Sequence, residues 1–264
     1  MHRVLVLVPF PLSDRGVDLR RAQRDVVSLS SGIEFDYRPT KASCTNFDSP
    51  HDWLLADMGV YEAGARAQEQ GYDAVCIDSM SDSGSSALRS LLDIPVIGPA
   101  RTSYMFALTL GDKFSVITYG DPAGSRIENN WVKQLYRKTQ KEYGVTDRCA
   151  SIVHAPIESD WENLLTGMEE TAFPMLVEAG HQCVEDGADV IILGSTTLYQ
   201  AGDHLAEQLP VPVINPGPLT YKMAELMLAM GTSHSRTAFP SPAAPKIDMA
   251  SVMLDAAQAM EAGT

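Results

Sequence analysis

The chain carries few of the patterns that mark metal centres, nucleotide sites or membrane segments. Only four of its 264 residues are cysteines, and no two of them form a C-x-x-C pair, so neither a zinc site nor a disulfide framework is predicted. An H-E-x-x-H motif, a Walker-type phosphate loop and a G-x-G-x-x-G turn after a strand are all missing. Their absence argues against a catalytic zinc ion, a nucleoside triphosphate and a dinucleotide. We therefore expect a protein that needs no cofactor and no metal.

Basic residues are also scarce. The chain has 20 Lys and Arg against 34 Asp and Glu, which gives a formal net charge of −14. An acidic surface repels nucleic-acid backbones and anionic lipids, so we expect neither nucleic acid nor a membrane as a partner. The apolar run near the start, Val4–Val8, is interrupted by Pro9 and is too short for a signal peptide or a membrane span. We expect a cytoplasmic protein in which this run is a buried strand.

Short apolar runs alternate with helical patterns along the chain. The runs are rich in Val and Ile and apolar on both faces, which is typical of parallel strands covered by helices on both sides. They lie at Val4–Val8, Ala74–Ile77, Val96–Ile97, Phe114–Thr118, Val190–Leu193 and Val213–Ile214. Helical patterns occupy residues 52–70, 171–186, 221–230 and 249–260, and the first gathers Leu54, Leu55, Met58 and Tyr61 on one apolar face. The alternation predicts a doubly wound α/β fold.

The chain also contains an internal repeat. Three segments recur in the same order: residues 71–79 match 187–195, residues 94–99 match 211–216, and residues 3–8 match 113–118. Such a repeat predicts two duplicated half-domains. We assign residues 1–105 with 221–264 to an N-terminal lobe and residues 106–220 to a C-terminal lobe. The predicted fold class is therefore α/β, with two pseudo-symmetric doubly wound lobes, each built on a parallel sheet.

In each half the repeated segment ends on a serine, Ser79 or Ser195. Ligands of open α/β sheets bind beyond the carboxyl ends of the strands. We therefore expect an active site between the lobes, with one serine on each wall as a catalytic candidate. Hydroxyls and backbone amides at such strand ends are suited to hold an anion.

The other candidate site residues surround these two serines. The candidates for substrate binding are Met80, Ser81, Thr196 and Thr197, together with the aromatic residues Phe10 and Tyr119. Asp78 and His204 are candidates for an acid or base, because each lies near one serine in the sequence. Asp82, Ser85 and Ser86 are expected to cap a helix instead, since short polar side chains are preferred there.

Several short segments carry a family resemblance over nearly the whole chain. They are residues 71–74, 82–84, 87–89, 94–98, 114–118, 143–144, 148–151, 187–194 and 211–214. On these segments the chain resembles the aspartate/glutamate/hydantoin racemase superfamily, most closely its hydantoin and allantoin racemase branch. The resemblance implies two α/β lobes with the site between them and no cofactor. It also implies a small substrate that is anionic or a cyclic amide, and assembly into a homo-oligomer.

The resemblance departs from the family pattern at the two positions that matter most. Racemases of the superfamily hold one cysteine on each lobe: one removes a proton next to a carboxyl or carbonyl group, and the other returns a proton to the opposite face. Arylmalonate decarboxylases of the same superfamily keep one cysteine and stabilise a carbanion with hydroxyls and backbone amides. By alignment, the two cysteine positions fall on Ser79 and Ser195. An unassisted serine is a far weaker acid than a thiol and cannot serve as the base near neutral pH.

Four functions are therefore open. The first is an isomerase, decarboxylase or lyase that forms an enolate or carbanion, with the serine turns as an oxyanion pocket. The second is a hydantoin-type racemase in which a serine works with an assisting base. The third is a serine-dependent hydrolase, although no G-x-S-x-G elbow surrounds Ser195. The fourth is a small-molecule binding protein that performs no chemistry.

Overall fold

The computed structural model describes residues 1–44, 47, 49–120, 131–157 and 168–262. The chain divides into two compact units. Unit 1 consists of Met1–Arg21, Val27–Gly98 and Thr220–Thr264, and unit 2 consists of Ala22–Val26 and Pro99–Leu219. Within the described residues, no helix is long and apolar enough to span a membrane.

Each unit is built on a four-stranded sheet in which every neighbouring pair is parallel. The strands of unit 1 are β1 (His2–Val8), β2 (Ile33–Pro39), β3 (Ala74–Ile77) and β4 (Val96–Ile97), in the order β2-β1-β3-β4. The strands of unit 2 are β5 (Phe114–Tyr119), β6 (Cys149–Ala155), β7 (Val190–Leu193) and β8 (Val213–Ile214), in the order β6-β5-β7-β8. The predicted α/β class with two parallel sheets is confirmed.

Helices connect the strands. In the described part of the chain the α-helices are α1 (Asp14–Arg21), α2 (Pro50–Gly64), α3 (Ser85–Leu91), α4 (Pro99–Leu110), α5 (Trp131–Glu142), α6 (Met168–Thr171), α7 (Phe173–Glu185), α8 (Gly202–Gln208), α9 (Pro216–Met230) and α10 (Ile247–Ala262). Short 3-10 helices cover Ala22–Val26, Thr146–Arg148 and Thr196–Ala201. The C-terminal helix α10 packs on α2 in unit 1, where Ser251 donates a hydrogen bond to Glu62 at 3.0 Å.

Apolar side chains cover the sheet of unit 1 on both faces, as expected for parallel strands. On one face, β1 and β3 pack against α2 and α3 through Leu5, Leu7, Val75, Ile77, Val60, Ala63 and Leu88. On the other face, they pack against α1 and α9 through Val4, Val6, Ala74, Cys76, Val17, Tyr221 and Ala224. Because both faces of the sheet are covered by apolar side chains, polar side chains are expected at the ends of the strands.

The internal repeat is reproduced in the strand register. Val4 pairs with Ala74 in unit 1, and Phe114 pairs with Val190 at the corresponding position of unit 2. Each of the repeated segments 71–79 and 187–195 begins with a Gly-x-Asp sequence. This sequence has a structural role, because its carboxylate accepts backbone N–H groups at the start of β1 or β5. Asp73 accepts the N–H of Arg3 at 2.8 Å. Its counterpart Asp189 accepts the N–H of Lys113 and that of the residue before it, both at 3.0 Å.

The structure corrects several expectations. Strands β2 and β6 were not predicted, because both are edge strands that carry polar residues and leave side chains partly exposed. The helical pattern of residues 171–186 is confirmed as α7, and only Thr171 belongs to the short helix α6. The apolar face expected for α2 is not the buried one, since Leu54 is 60% exposed and the sheet is met by Val60, Ala63 and Gly64. Gly64 permits this approach, because a Cβ there would lie 2.6 Å from a methyl of Leu7.

Candidate active site in two serine turns

The two repeated serines occupy equivalent places in their units. Ser79 follows β3 and Ser195 follows β7, each two residues beyond the end of an inner strand. The preceding residue is held to the adjacent central strand in both cases: the N–H of Asp78 donates to Leu7 at 2.8 Å, and the N–H of Gly194 donates to Ile117 at 2.7 Å. Each serine is half-buried between buried neighbours. In each unit, therefore, a serine hydroxyl is the accessible group at the carboxyl end of an inner strand.

The same hydrogen bond shapes both turns. The N–H of Ser81 donates to Oγ of Ser79 at 3.2 Å, and the N–H of Thr197 donates to Oγ of Ser195 at 3.1 Å. In unit 2 this contact caps the 3-10 helix Thr196–Ala201. A hydroxyl that accepts an N–H still carries one proton of its own to donate. We refer to residues 79–84 as the first serine turn and to residues 195–197 as the second serine turn.

Further hydroxyls line the first serine turn. The hydroxyl of Ser81 donates to Oγ of Ser79 at 3.0 Å, and the hydroxyls of Ser81 and Ser83 lie 2.8 Å apart. Ser81 is 3% exposed and Ser83 is 2% exposed. Ser81, predicted to bind substrate, thus uses its hydroxyl inside the turn. Ser83 was missed, although the spacing of hydroxyls at every second residue is visible in the sequence.

Three of the candidates for substrate binding are almost completely buried. Met80 is 2% exposed, and Thr196 and Thr197 are 3% and 9% exposed. Their backbones form the turns, and their side chains offer little surface to a substrate. The expected helix caps also differ: the N-cap of α3 is Gly84, whose φ of 67° is left-handed and whose N–H donates to the side chain of Asp57 at 2.9 Å. Asp82 has a left-handed φ of 49° and packs against Gly98 in unit 1.

Asp78 is committed to an ion pair. Its two carboxylate oxygens are each 2.6 Å from the guanidinium of Arg20, one from Nε and one from a terminal nitrogen. The two side chains are only 5% and 2% exposed, so water does not screen the pair. This geometry gives Asp78 a part in positioning the first serine turn. Arg20 was missed, because nothing in a local pattern links residues 58 positions apart.

In unit 2, a hydrogen bond between two neutral groups takes the place of the Arg20–Asp78 ion pair. The hydroxyl of Tyr136, on α5, donates to the carbonyl of Gly194. Burial raises the pKa of the Tyr136 phenol above its ordinary value, so the group stays protonated and acts as a donor. Gly194 is required by space, since a Cβ there would lie 2.6 Å from the carbonyl oxygen of Ile117 and 2.7 Å from the Tyr136 hydroxyl.

The remaining predicted site residues make aromatic or apolar contacts. His204, on α8, stacks on Phe173 with ring centroids 4.8 Å apart. In the part of the chain that the structure describes, no imidazole or carboxylate forms a hydrogen bond with Ser79 or Ser195. Tyr119 ends β5 and packs partly buried against the core of unit 2, and Phe10 lies beyond β1 with its ring 5.0 Å from that of Phe47. No base–nucleophile pair of the hydrolase type is formed by these residues.

Three of the four cysteines do not supply the missing bases. Burial raises the pKa of the Cys149 thiol to about 11 and that of the Cys183 thiol to about 12, and it raises the pKa of Cys76 further. These three thiols are therefore protonated at neutral pH. Across the described ranges, no group of three His, Cys, Asp or Glu side chains is placed to hold a metal ion.

Comparison with known proteins assigns the family. A model of the Asp/Glu/hydantoin racemase family matches residues 27–224. A hydantoin racemase of Pseudomonas sp. (strain NS671) is 30% identical over 198 residues, which cover 74% of each chain. A hydantoin racemase of Paenarthrobacter aurescens is 26% identical over 89% of this chain and 94% of its own. The solved allantoin racemase from Klebsiella pneumoniae has a TM-score of 0.76 at 25% identity, covering 93% of this chain and 95% of that one. With this breadth of match, the chain belongs to the Asp/Glu/hydantoin racemase family of enzymes.

Proposed function

We propose that this enzyme forms an enolate- or carbanion-type intermediate on a small cyclic amide of the hydantoin type, without a cofactor, and returns the proton to give the other enantiomer. Ser79 and Ser195 are the proposed catalytic residues, one from each serine turn, acting on one shared substrate. The observation that carries the proposal is the shared geometry of the turns, in which each Oγ accepts an N–H and keeps its own proton to donate.

The chemistry follows from where charge develops. Removing the proton from the ring carbon next to a carbonyl shifts negative charge onto the carbonyl oxygen. Hydrogen-bond donors fixed at that oxygen lower the barrier, and one such donor is commonly worth about 100-fold to 1000-fold in rate. The proton itself is carried by a group other than the serines, because a serine hydroxyl is too weak an acid to exist as its anion near neutral pH. A substrate with a more acidic proton, such as a 5-substituted hydantoin, can be deprotonated by a weaker base.

The structure and the relatives favour this function over the alternatives. A serine-dependent hydrolase needs a base hydrogen-bonded to its nucleophile, and within the described residues neither serine has one. A two-thiol racemase needs ionisable cysteines, whereas burial keeps the thiols of Cys76, Cys149 and Cys183 protonated. The relatives are named hydantoin racemase and allantoin racemase, which points to a cyclic amide as substrate.

Proton exchange tests the proposal. The enzyme is incubated in D₂O with single enantiomers of 5-methylhydantoin, 5-isopropylhydantoin and allantoin, and loss of the ring C–H signal is followed by NMR beside an enzyme-free sample. We expect enzyme-dependent exchange with loss of optical activity. Ser79→Ala and Ser195→Ala should each slow it by about 100-fold or more, whereas Ser86→Ala, at an exposed position of the adjacent helix, should match the wild type.

Three outcomes would overturn the proposal. One is exchange no faster than in the enzyme-free sample for all three compounds. Another is full activity in both serine variants. The third is loss of activity on treatment with iodoacetamide at pH 8 in the native protein, because that result would restore a thiol as the base.

A further inference from the structure

We propose that Ser83 and Ser81 form a one-way chain of hydroxyl hydrogen bonds that holds the Ser79 proton pointing out of the turn, toward the carbonyl oxygen of the substrate. The inference rests on the proposed function, and it assigns Ser81 and Ser83 as positioning residues for Ser79. It makes the first serine turn a preset donor, fixed before the substrate arrives.

The direction of the chain follows from counting protons. Oγ of Ser79 accepts two hydrogen bonds, from the N–H of Ser81 at 3.2 Å and from the hydroxyl of Ser81 at 3.0 Å. A hydroxyl has one proton, so Ser81 has none left for Ser83. The 2.8 Å contact between Ser81 and Ser83 must then be donated by Ser83. With both of its acceptor sites occupied by Ser81, Ser79 can use its own proton only outside the turn.

Burial keeps this arrangement intact. Ser81 and Ser83 are 3% and 2% exposed, so water does not compete for their hydroxyls, whereas Ser79 is half-buried and accessible. The N–H of Ser83 also donates to Oγ of Ser81 at 3.3 Å, which fixes the spacing of the last two members. Hydrogen bonds in such a chain polarise one another and strengthen the final donor. Ser79 is therefore a stronger hydrogen-bond donor than an isolated serine.

The second serine turn lacks this support. Ser195 accepts a single hydrogen bond within the described residues, from the N–H of Thr197. The residue four positions after Ser195 is Tyr199, whose hydroxyl accepts from the side-chain amide of Gln200 at 3.2 Å. The inference is thus specific to unit 1: the Ser79 hydroxyl is preset, while the Ser195 hydroxyl is free to rotate.

Neutron diffraction from crystals of the perdeuterated full-length protein tests the chain without any assay of activity. We expect the deuterium of Ser83 to point at Ser81, the deuterium of Ser81 to point at Ser79, and the deuterium of Ser79 to point at neither. A Ser79 deuterium directed at Ser81 would overturn the inference. Because no substrate is needed, this result stands even if the proposed reaction is wrong.

Variants of Ser83 test the consequence for catalysis. Ser83→Ala removes the chain's first donor and should lower kcat for exchange by about fivefold, the usual worth of one hydrogen bond, with little change in KM. Ser83→Thr keeps the hydroxyl and should restore kcat, and Ser86→Ala is the matched control. Melting curves confirm that each variant is folded. The inference fails if Ser83→Ala keeps the wild-type kcat, or if Ser83→Thr is as slow as Ser83→Ala; should a variant not fold, the neutron map decides.

Discussion

In unit 1 the residue before the serine is Asp78, which is bound on both oxygens by Arg20, whereas in unit 2 it is Gly194, whose carbonyl accepts the Tyr136 hydroxyl. The backbone at these two residues follows the same path, since both donate their N–H to the adjacent strand. Unit 1 holds that path with a buried charge pair, and unit 2 holds it with a neutral phenol and a glycine. The same turn is thus stabilised in two physically different ways, which respond differently to mutation.

A second difference appears where each turn meets the end of the neighbouring strand. In unit 1 the turn supplies the side chain, Asp82, which packs against Gly98 after β4. In unit 2 the strand end supplies the side chain: Asn215 donates to the carbonyl of Tyr199 at 2.6 Å and packs against Gly202. In both units a polar side chain packs against a glycine at this contact. The polar side chain comes from the turn in unit 1 and from the strand end in unit 2. The two units therefore share the contact between a polar side chain and a glycine, but different positions of the repeat supply the polar side chain.

Breaking the buried ion pair of unit 1 should destabilise the protein more than changing the neutral contact of unit 2. Arg20→Met removes the guanidinium that pairs with both oxygens of the buried Asp78 carboxylate, and we expect a loss of about 3–5 kcal/mol in the free energy of unfolding, measured by urea denaturation. Arg21→Met is the matched control, because the pair that Arg21 forms with Asp18 is exposed; it should cost less than about 1 kcal/mol. Equal losses for the two variants would show that the buried pair does not hold the turn.

In unit 2, we expect a larger side chain at position 194 to destabilise the protein by overpacking. Gly194→Ala places a methyl group against Ile117 and Tyr136, and overpacking of this kind costs about 1–3 kcal/mol. The double variant Gly194→Ala with Tyr136→Phe removes the hydroxyl that the methyl group meets, so it should lose less stability than the two single losses added together. A wild-type urea midpoint for Gly194→Ala would contradict the close packing described for this turn.

The repeated aspartates should show the smallest effects and none on catalysis. Asp189 accepts two backbone N–H groups and Asp73 accepts one, so Asp189→Ala should cost about 1 kcal/mol and Asp73→Ala roughly half as much. Thermal melts measure the difference. Proton-exchange rates should be unchanged in both variants; a large fall in rate at constant stability would give the motif a functional role that its contacts do not explain.

Much of the fold could be predicted from the sequence, because inner parallel strands are continuous apolar runs and the repeat pairs them. Strands β3 and β7 and the serines that follow them are of this kind. The edge strands β2 and β6 mix polar and apolar residues and give no such signal. The contacts that support the two turns could not be predicted from the sequence, for another reason. Arg20 and Asp78, like Tyr136 and Gly194, are 58 positions apart and meet only in the folded chain. Ser83 could have been found from the alternation of hydroxyls alone.

A crystal structure with 5,5-dimethylhydantoin measures the central claim most directly. This compound keeps the ring carbonyls of a hydantoin and has no proton on the reacting carbon, so it should stay bound without turnover. We predict that Oγ of Ser79 and Oγ of Ser195 each lie within hydrogen-bonding distance, about 2.6–3.2 Å, of an oxygen of the same bound molecule. A ligand held by one serine alone, or by neither, would contradict the account.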